Sequence, residues 1–558
     1  ETDVDAAAAV NTVDSRATLV ITGTSVLNAG GAANLTAENL VEAQTVADGS
    51  NGGSGAAVAV ATVTGDTVAA IDGSVGGTVG SLALTAKTER TLTTSAKSTP
   101  GGSEENTATE TKSEKALKDN NASTTSDDSG DLKFAGAVAV TTLVNNTQAY
   151  LVSTGALTST GAIGITATNK ATASTTADGS QTAAAAEGVG IAVAIAVADL
   201  DSTAYVGNAS LTSTGVTVSA LVPESTFAVS ATSGAGDTDD VAVAGSLAIN
   251  VVLTDVNASV ADGATLDLNG GSLVLTADSR TDVSTSALPK AAASASDGTG
   301  VGASVALTIA DHDTHARIGN NAALGSVDDL TLSATSDHEA LTKAKNGAAG
   351  DTAVTPVVAI STANSATSAT IGTGMVALDV GGDLGLQASH SGSTISEAEG
   401  STETGDTGVG ISIALTFATD DTLATSARDL DVGGALAFGA RTVSSSRALA
   451  KASVAGGSDD SSGDDEGVDK EVDKQRGFAD SKSSEKGAKD SGSTESESAE
   501  TSGGGVSVAG AVAMDLANST SRATFNGAAT AVGAVELKSQ NMTNAVSIAD
   551  GSATTGDG

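Results

Sequence analysis

Apolar and polar residues alternate with period two over most of this chain, and the alternation stops and restarts at short runs of Gly, Asn and Asp. One stretch shows the grammar. Val189-Gly190-Ile191-Ala192-Val193-Ala194-Ile195-Ala196-Val197 passes through an Asp-Ser-Thr segment into Ala204-Tyr205-Val206, and turns at Gly207-Asn208. Alternation resumes at Val216-Thr217-Val218-Ser219-Ala220, and the segment Thr226 to Ala231 leads into an acidic Gly loop from Gly234 to Asp240. β-Branched residues at every second position suit a pleated surface and fit no 3.6-residue period, so the pattern predicts strands throughout.

The grammar repeats. A small-polar run followed by Ala and then an apolar residue recurs at Ala17, Ala69, Ala149, Ala204, Ala258, Ala316, Ala369, Ala424 and Ala523, with separations of 52, 80, 55, 54, 58, 53, 55 and 99 residues. A second pattern of apolar, any, apolar, any, Ala recurs at Leu82/Leu84/Ala86, Ile163/Ile165/Ala167, Leu273/Leu275/Ala277, Leu330/Leu332/Ala334, Leu384/Leu386/Ala388 and Leu436/Phe438/Ala440. Equivalent residues recurring this way predict an all-β solenoid, a parallel β-helix of about nine repeats of about 53 residues, in which no repeat buries its apolar face alone. Residues 1–558 then form a single continuous array. The two long separations are insertions, 103–131 and 458–501, both in the loop that precedes an opening strand. Charged and Ser-rich, they read as solvated loops or partner-binding arms. The array starts at an opening strand and stops before the next would begin. Further coils of a longer polypeptide, or other copies, are therefore expected at both ends.

The opening strand is apolar on both faces, so both are expected to be covered. Its bulky face (Val189, Ile191, Val193, Ile195, Val197) is expected to fill the interior. Gly190, Ala192, Ala194 and Ala196 would then form a flat outer strip, either covered by the chain's own closing strand or used for lateral assembly between copies.

Composition thins the core and narrows the partners. With 66 Gly, 4 Pro, 2 Tyr, 6 Phe and neither Trp nor Cys, the layers must be thin, and disulfides and thiol ligands are excluded. A formal charge of −41 excludes nucleic acid as a partner and favours solubility and divalent cations. No uninterrupted apolar stretch is long enough for a transmembrane helix.

Segments such as Ala204 to Ala220, followed by a Gly/Ala/Val opening strand, resemble the repeats of large bacterial surface adhesins, including filamentous-haemagglutinin-like proteins and autotransporter passengers. The resemblance implies a right-handed parallel β-helix, an extracellular or cell-surface location, a role in adhesion, matrix or envelope structure, and partners among cell-surface glycans or proteins. The present unit is longer than a coil of that group, so two coils per unit, or a coil plus a long hairpin, are expected.

Catalytic signals are sparse. The four histidines include one dense cluster, Asp311-His312-Asp313-Thr314-His315, in which strand geometry puts Asp311, Asp313 and His315 on one face and His312 on the other. It reads as an exposed polar strand end. Phosphate-binding loops, nucleophile elbows and zinc-protease motifs are missing, so a non-enzymatic protein is expected, with a polysaccharide-acting enzyme as a distant alternative. Calcium is the one cofactor considered, at the acidic loop residues Asp237, Asp239, Asp240, Asp459, Asp460, Asp464 and Asp465; diffuse counterion attraction is the default reading there. The function expected from sequence is an extracellular structural or adhesive fibre. The alternative is a self-assembling envelope, sheath or filament subunit packing through the Gly/Ala strip.

Overall fold

A computed structural model describes residues 4–50, 53–99, 132–181, 185–290, 293–295, 298–456 and 506–554. The insertions at 103–131 and 458–501 lie outside them. Among the described residues the strand pairings are parallel, and each joins a residue to its equivalent in a neighbouring unit. Val189, Val243 and Val301 are successive partners in the opening strand; Val216, Leu273 and Leu330 are successive partners in the closing strand. Each unit is therefore one coil, advancing by a single strand spacing of about 4.8 Å. This corrects the expectation of two coils or a hairpin per unit.

The motif alanines stack as one column from Ala69 through Ala149, Ala204, Ala258, Ala316, Ala369 and Ala424 to Ala523. Ala17 does not head it. Ala17 pairs with Thr67, and Leu19 pairs with Ala69, so the first unit is offset by two residues, which preserves the inward face.

Each coil is a flattened loop of two long arms facing each other. Thr342 Oγ1 donates to Thr308 Oγ1 (2.6 Å) and Asn346 Nδ2 donates to Ser304 Oγ (3.0 Å), which sets the arm Thr299–Ile318 antiparallel to and opposite the start of Leu330–Ile371. At one end a short third wall, such as Thr265–Asp267 on Ala323–Gly325 and Leu378–Val380 on Leu430–Val432, opens the interior into a three-sided prism. The prism is filled by Leu, Ile and Val columns, including Leu84, Ile165, Val218, Leu275, Leu332 and Leu386. Where only two walls face each other the interior narrows, and Ala columns fill it: Ala139, Ala194, Ala248, Ala306 and Ala359 lie opposite Ala177, Ala231, Ala287 and Ala344.

This narrowing reverses the expected faces of the opening strand. Ala192, Ala194 and Ala196 are buried between the sheets, whereas Ile191 is 40% exposed and Val193, Ile195 and Val197 point outward. Gly190 is also inside, where an added Cβ would collide with the carbonyl oxygens of Gly234 and Gly179. There is no room for isoleucine between the arms.

The face assignment is testable by stability. Ala194→Leu is expected to cost about 1–3 kcal/mol through overpacking, while Ile195→Thr should change stability by less than about 1 kcal/mol, as a surface substitution does. Urea midpoints ranked the other way would contradict the assignment. Leu275→Ala, inside the prism, should cost about 2–5 kcal/mol.

Candidate functional site

Between the prism and the Ala layer runs a line of buried polar side chains, one or two per coil. In the early coils the buried Arg90 donates from Nη1 to Asn39 Oδ1 (2.9 Å), from Nε to Asn145 Oδ1 (3.2 Å) and from Nη2 to the Ser15 carbonyl (3.3 Å). Burial lowers its pKa. Gly65 makes room for it, since a Cβ there would lie 2.9 Å from Arg90 Nη2. Further along, Thr254 and His312 Nδ1 are 2.8 Å apart, Thr281 bridges His312 Nε2 (3.3 Å) to His338 Nδ1 (2.8 Å), and Ser336 meets His390 Nδ1 at 2.8 Å. The rings of His312 and His338 stack at 3.8 Å, with His390 next at 6.1 Å from His338. His390 Nε2 lies 3.1 Å from Asp420 Oδ1, at ion-pair distance but without hydrogen-bond alignment.

The structure agrees with the sequence that Asp311, Asp313 and His315 share one face and His312 the other, but it corrects the expected exposed strand end: the strand runs on to Ile318 and His312 is buried inside. What sequence reasoning missed is that His312 stacks on His338 across the interior of one coil, with His390 of the next coil tilted beside His338. The signal lay in counting by twos from Ala316 back to His312 and from Ala334 and Ala388 forward to His338 and His390, all inward positions. Each imidazole meets a Thr or Ser hydroxyl of a neighbouring strand, so the rings suit structural hydrogen bonding. Among the described residues no three His, Asp or Glu side chains converge to hold a metal ion.

Of the acidic loop residues, Asp239 and Asp240 are exposed; the side chain of Asp237 and all of Asp459, Asp460, Asp464 and Asp465 lie outside what the structure describes. Other carboxylates have a role the sequence did not disclose. At the corners the backbone N–H of Asp383 donates to Asp329 Oδ1 (2.8 Å), that of Ala435 to Asp383 Oδ1 (2.7 Å), and that of Ala528 to Asp429 Oδ1 (2.6 Å). Each such aspartate stitches its turn to the next coil.

The two outer faces differ sharply. On the closing sheet the outward columns are polar, as in Thr85, Thr166, Ser219, Thr276, Ser333 and Gln387, with surface ion pairs such as Lys345 to Glu399 at 2.7 Å. On the opening sheet they are aliphatic: Val58, Val138, Val193, Leu247, Val305, Val358 and Ile413 form one column, and Val60, Val140, Ile195, Ile249, Leu307, Ile360 and Leu415 the next. An acidic row, Asp201, Asp255 and Asp313, flanks these columns. Burial, aided by Asp199 and Asp255, pushes the Asp201 carboxyl up to about 6. Near the prism a shallow groove lies between residues 158–160, 212–214 and 269–271, lined by hydroxyls, an Asn and two Gly.

No protein-family model, curated protein or solved structure matches this chain. The site is therefore read from its own chemistry.

Two pH effects of opposite sign follow. Burial, with a smaller contribution from His390, lowers the His312 pKa from 6.5 to about 3. The unfolded chain takes up a proton that folded His312 refuses, so this contribution to stability is complete above pH 6.5 and falls as pH drops toward about 3. Denaturation midpoints at pH 7.5 and 4.5 should show His312→Gln losing part of that dependence; an unchanged dependence would contradict a buried neutral imidazole. For Asp201 the folded pKa lies above the unfolded 3.8, so ionisation is disfavoured by folding above about pH 6 and the penalty is relieved between about 6 and 3.8. Asp201→Asn should raise the midpoint at pH 7.5 and leave it unchanged at pH 3.5. A lowered midpoint at pH 7.5 would show instead that the charge is stabilising.

Proposed function

We propose that the chain is a structural repeat protein of the cell exterior, an acidic adhesive or matrix scaffold rather than an enzyme. The observation that carries the reading is the superposition of outer positions coil upon coil. It turns each strand residue into a row and gives the surface a repeating chemistry suited to many equivalent weak contacts instead of one cleft. The formal charge of −41 keeps such a surface soluble and spaced from anionic neighbours. A hydroxyl-lined groove at the corner suits sugar hydroxyls as a contact. We place polysaccharide cleavage well below this reading.

Among the described residues the strands Val4–Asp14 and Val506–Phe525 each pair on one side only, and the interior-column residues Val535 and Leu537 are 59% and 48% exposed at the outer edge. A parallel strand edge with uncovered aliphatics is a template for pairing with another strand.

The test is to label intact, unpermeabilised cells of the source organism with antibody against this chain, and to compare attachment and matrix formation with and without it. Surface labelling together with reduced attachment is the expected result. Labelling that appears only after permeabilisation would overturn the reading.

A further inference from the structure

The outer aliphatic face of the opening sheet calls for a partner that the coil itself does not supply. All-parallel sheets are almost always covered on both faces. Here the inner face packs on the closing sheet, and the outer face is open: Val58, Val305, Ile309 and Ile411 are 40%, 38%, 37% and 43% exposed within a sheet whose neighbouring strands already cover their sides. Outward columns lie about 6.7 Å apart and rows about 4.8 Å apart. The columns through Val189, Ile191, Val193, Ile195 and Val197 therefore make a flat face on the order of 1,000 Å². That exceeds the few hundred Å² of an ordinary exposed patch and the roughly 800 Å² each partner contributes to a stable interface.

We propose that this face binds the same face of a second copy, giving two arrays packed back to back with their polar closing sheets outward. Three observations select a second copy. The face is flat and its central columns through Val193 and Ile195 are apolar throughout, so it is complementary to itself. The columns through Val193 and Ile195 contain no Lys or Arg, so the face offers no cation to a lipid headgroup. The acidic row of Asp201, Asp255 and Asp313 lies on one flank and the exposed Glu187, Asp239 and Asp240 lie beyond the other, so acidic edges on both sides confine the contact to the aliphatic centre of the face. An isologous pairing with parallel solenoid axes lengthens without clash as coils are added. The pairing rests on the outer face alone and holds whether or not the protein is an adhesin.

The absence of cysteine makes a direct test available. Light scattering after gel filtration measures the mass of this chain at micromolar concentration, alongside Ile249→Asp, and single cysteines are placed by Val193→Cys and, on the opposite outer face, Ser333→Cys. The expected results are a two-chain mass, a fall of about tenfold or more in that species for Ile249→Asp with an unchanged circular dichroism spectrum and melt, and oxidative cross-linking of Val193→Cys far above that of Ser333→Cys. A single-chain mass, equal cross-linking at the two positions, or flotation with phosphatidylcholine vesicles in place of pairing would overturn the proposal. End-to-end association would cross-link neither position, which separates stacking of coils from pairing of faces.

Discussion

The distance between the two arms of the coil governs the rest of the structure. Where the arms close together mostly Gly, Ala and small polar residues fit between them, as Gly190, Ala192, Ala194 and Thr308 show. Because the strand alternates strictly, a small residue inside forces its bulky neighbour outside. The same constraint accounts for the prism: a third wall separates the arms at one end, and there the Leu, Ile and Val columns have space to pack. The composition, poor in aromatics and rich in Ala and Gly, follows from a fold that is thin nearly everywhere. Phe227 and Phe438 lie in the wider parts.

A thin interior also leaves little apolar area to offset buried polar groups, and the larger ones draw on partners in neighbouring strands. Thr281 serves His312 and His338, and Arg90 spans Asn39, Ser15 and Asn145. Stacking makes such a line self-consistent, because each coil offers the next a partner at the same height. Aspartates at the corners work the same way, accepting backbone N–H groups of the following coil. Part of the acidity that suggests cation binding in the sequence is thus structural.

The all-β solenoid was legible from period-two alternation and the recurring Ala motifs, since both are properties of local sequence that stacking preserves. The phase of the opening strand was equally present but misread. Ala204 and Val206 are interior, and counting back by twos without a break reaches Ala196, Ala194 and Ala192, which places Ile195 and Val193 outside. The expectation that large aliphatics fill a core prevailed over that count, because the closeness of the arms is a tertiary fact that no single strand reveals. The lateral surface assigned to the Gly/Ala strip is covered by the chain's own closing strand, and the uncovered apolar face is its reverse. The winding was hidden for a similar reason: a unit of one long coil and a unit of two short coils have the same period. The histidine cluster required knowing that the two arms bring His312 onto His338 and that His390 lies beside them in the next coil.

An electron cryo-microscopy map of the purified chain tests the central claim most directly. The account predicts one rung of density per unit, rising about 4.8 Å, with Ala192 and Ala194 between two closely spaced sheets and Val193 and Ile195 on the outer surface. Two rungs per unit, or Val193 and Ile195 between the sheets, would contradict it.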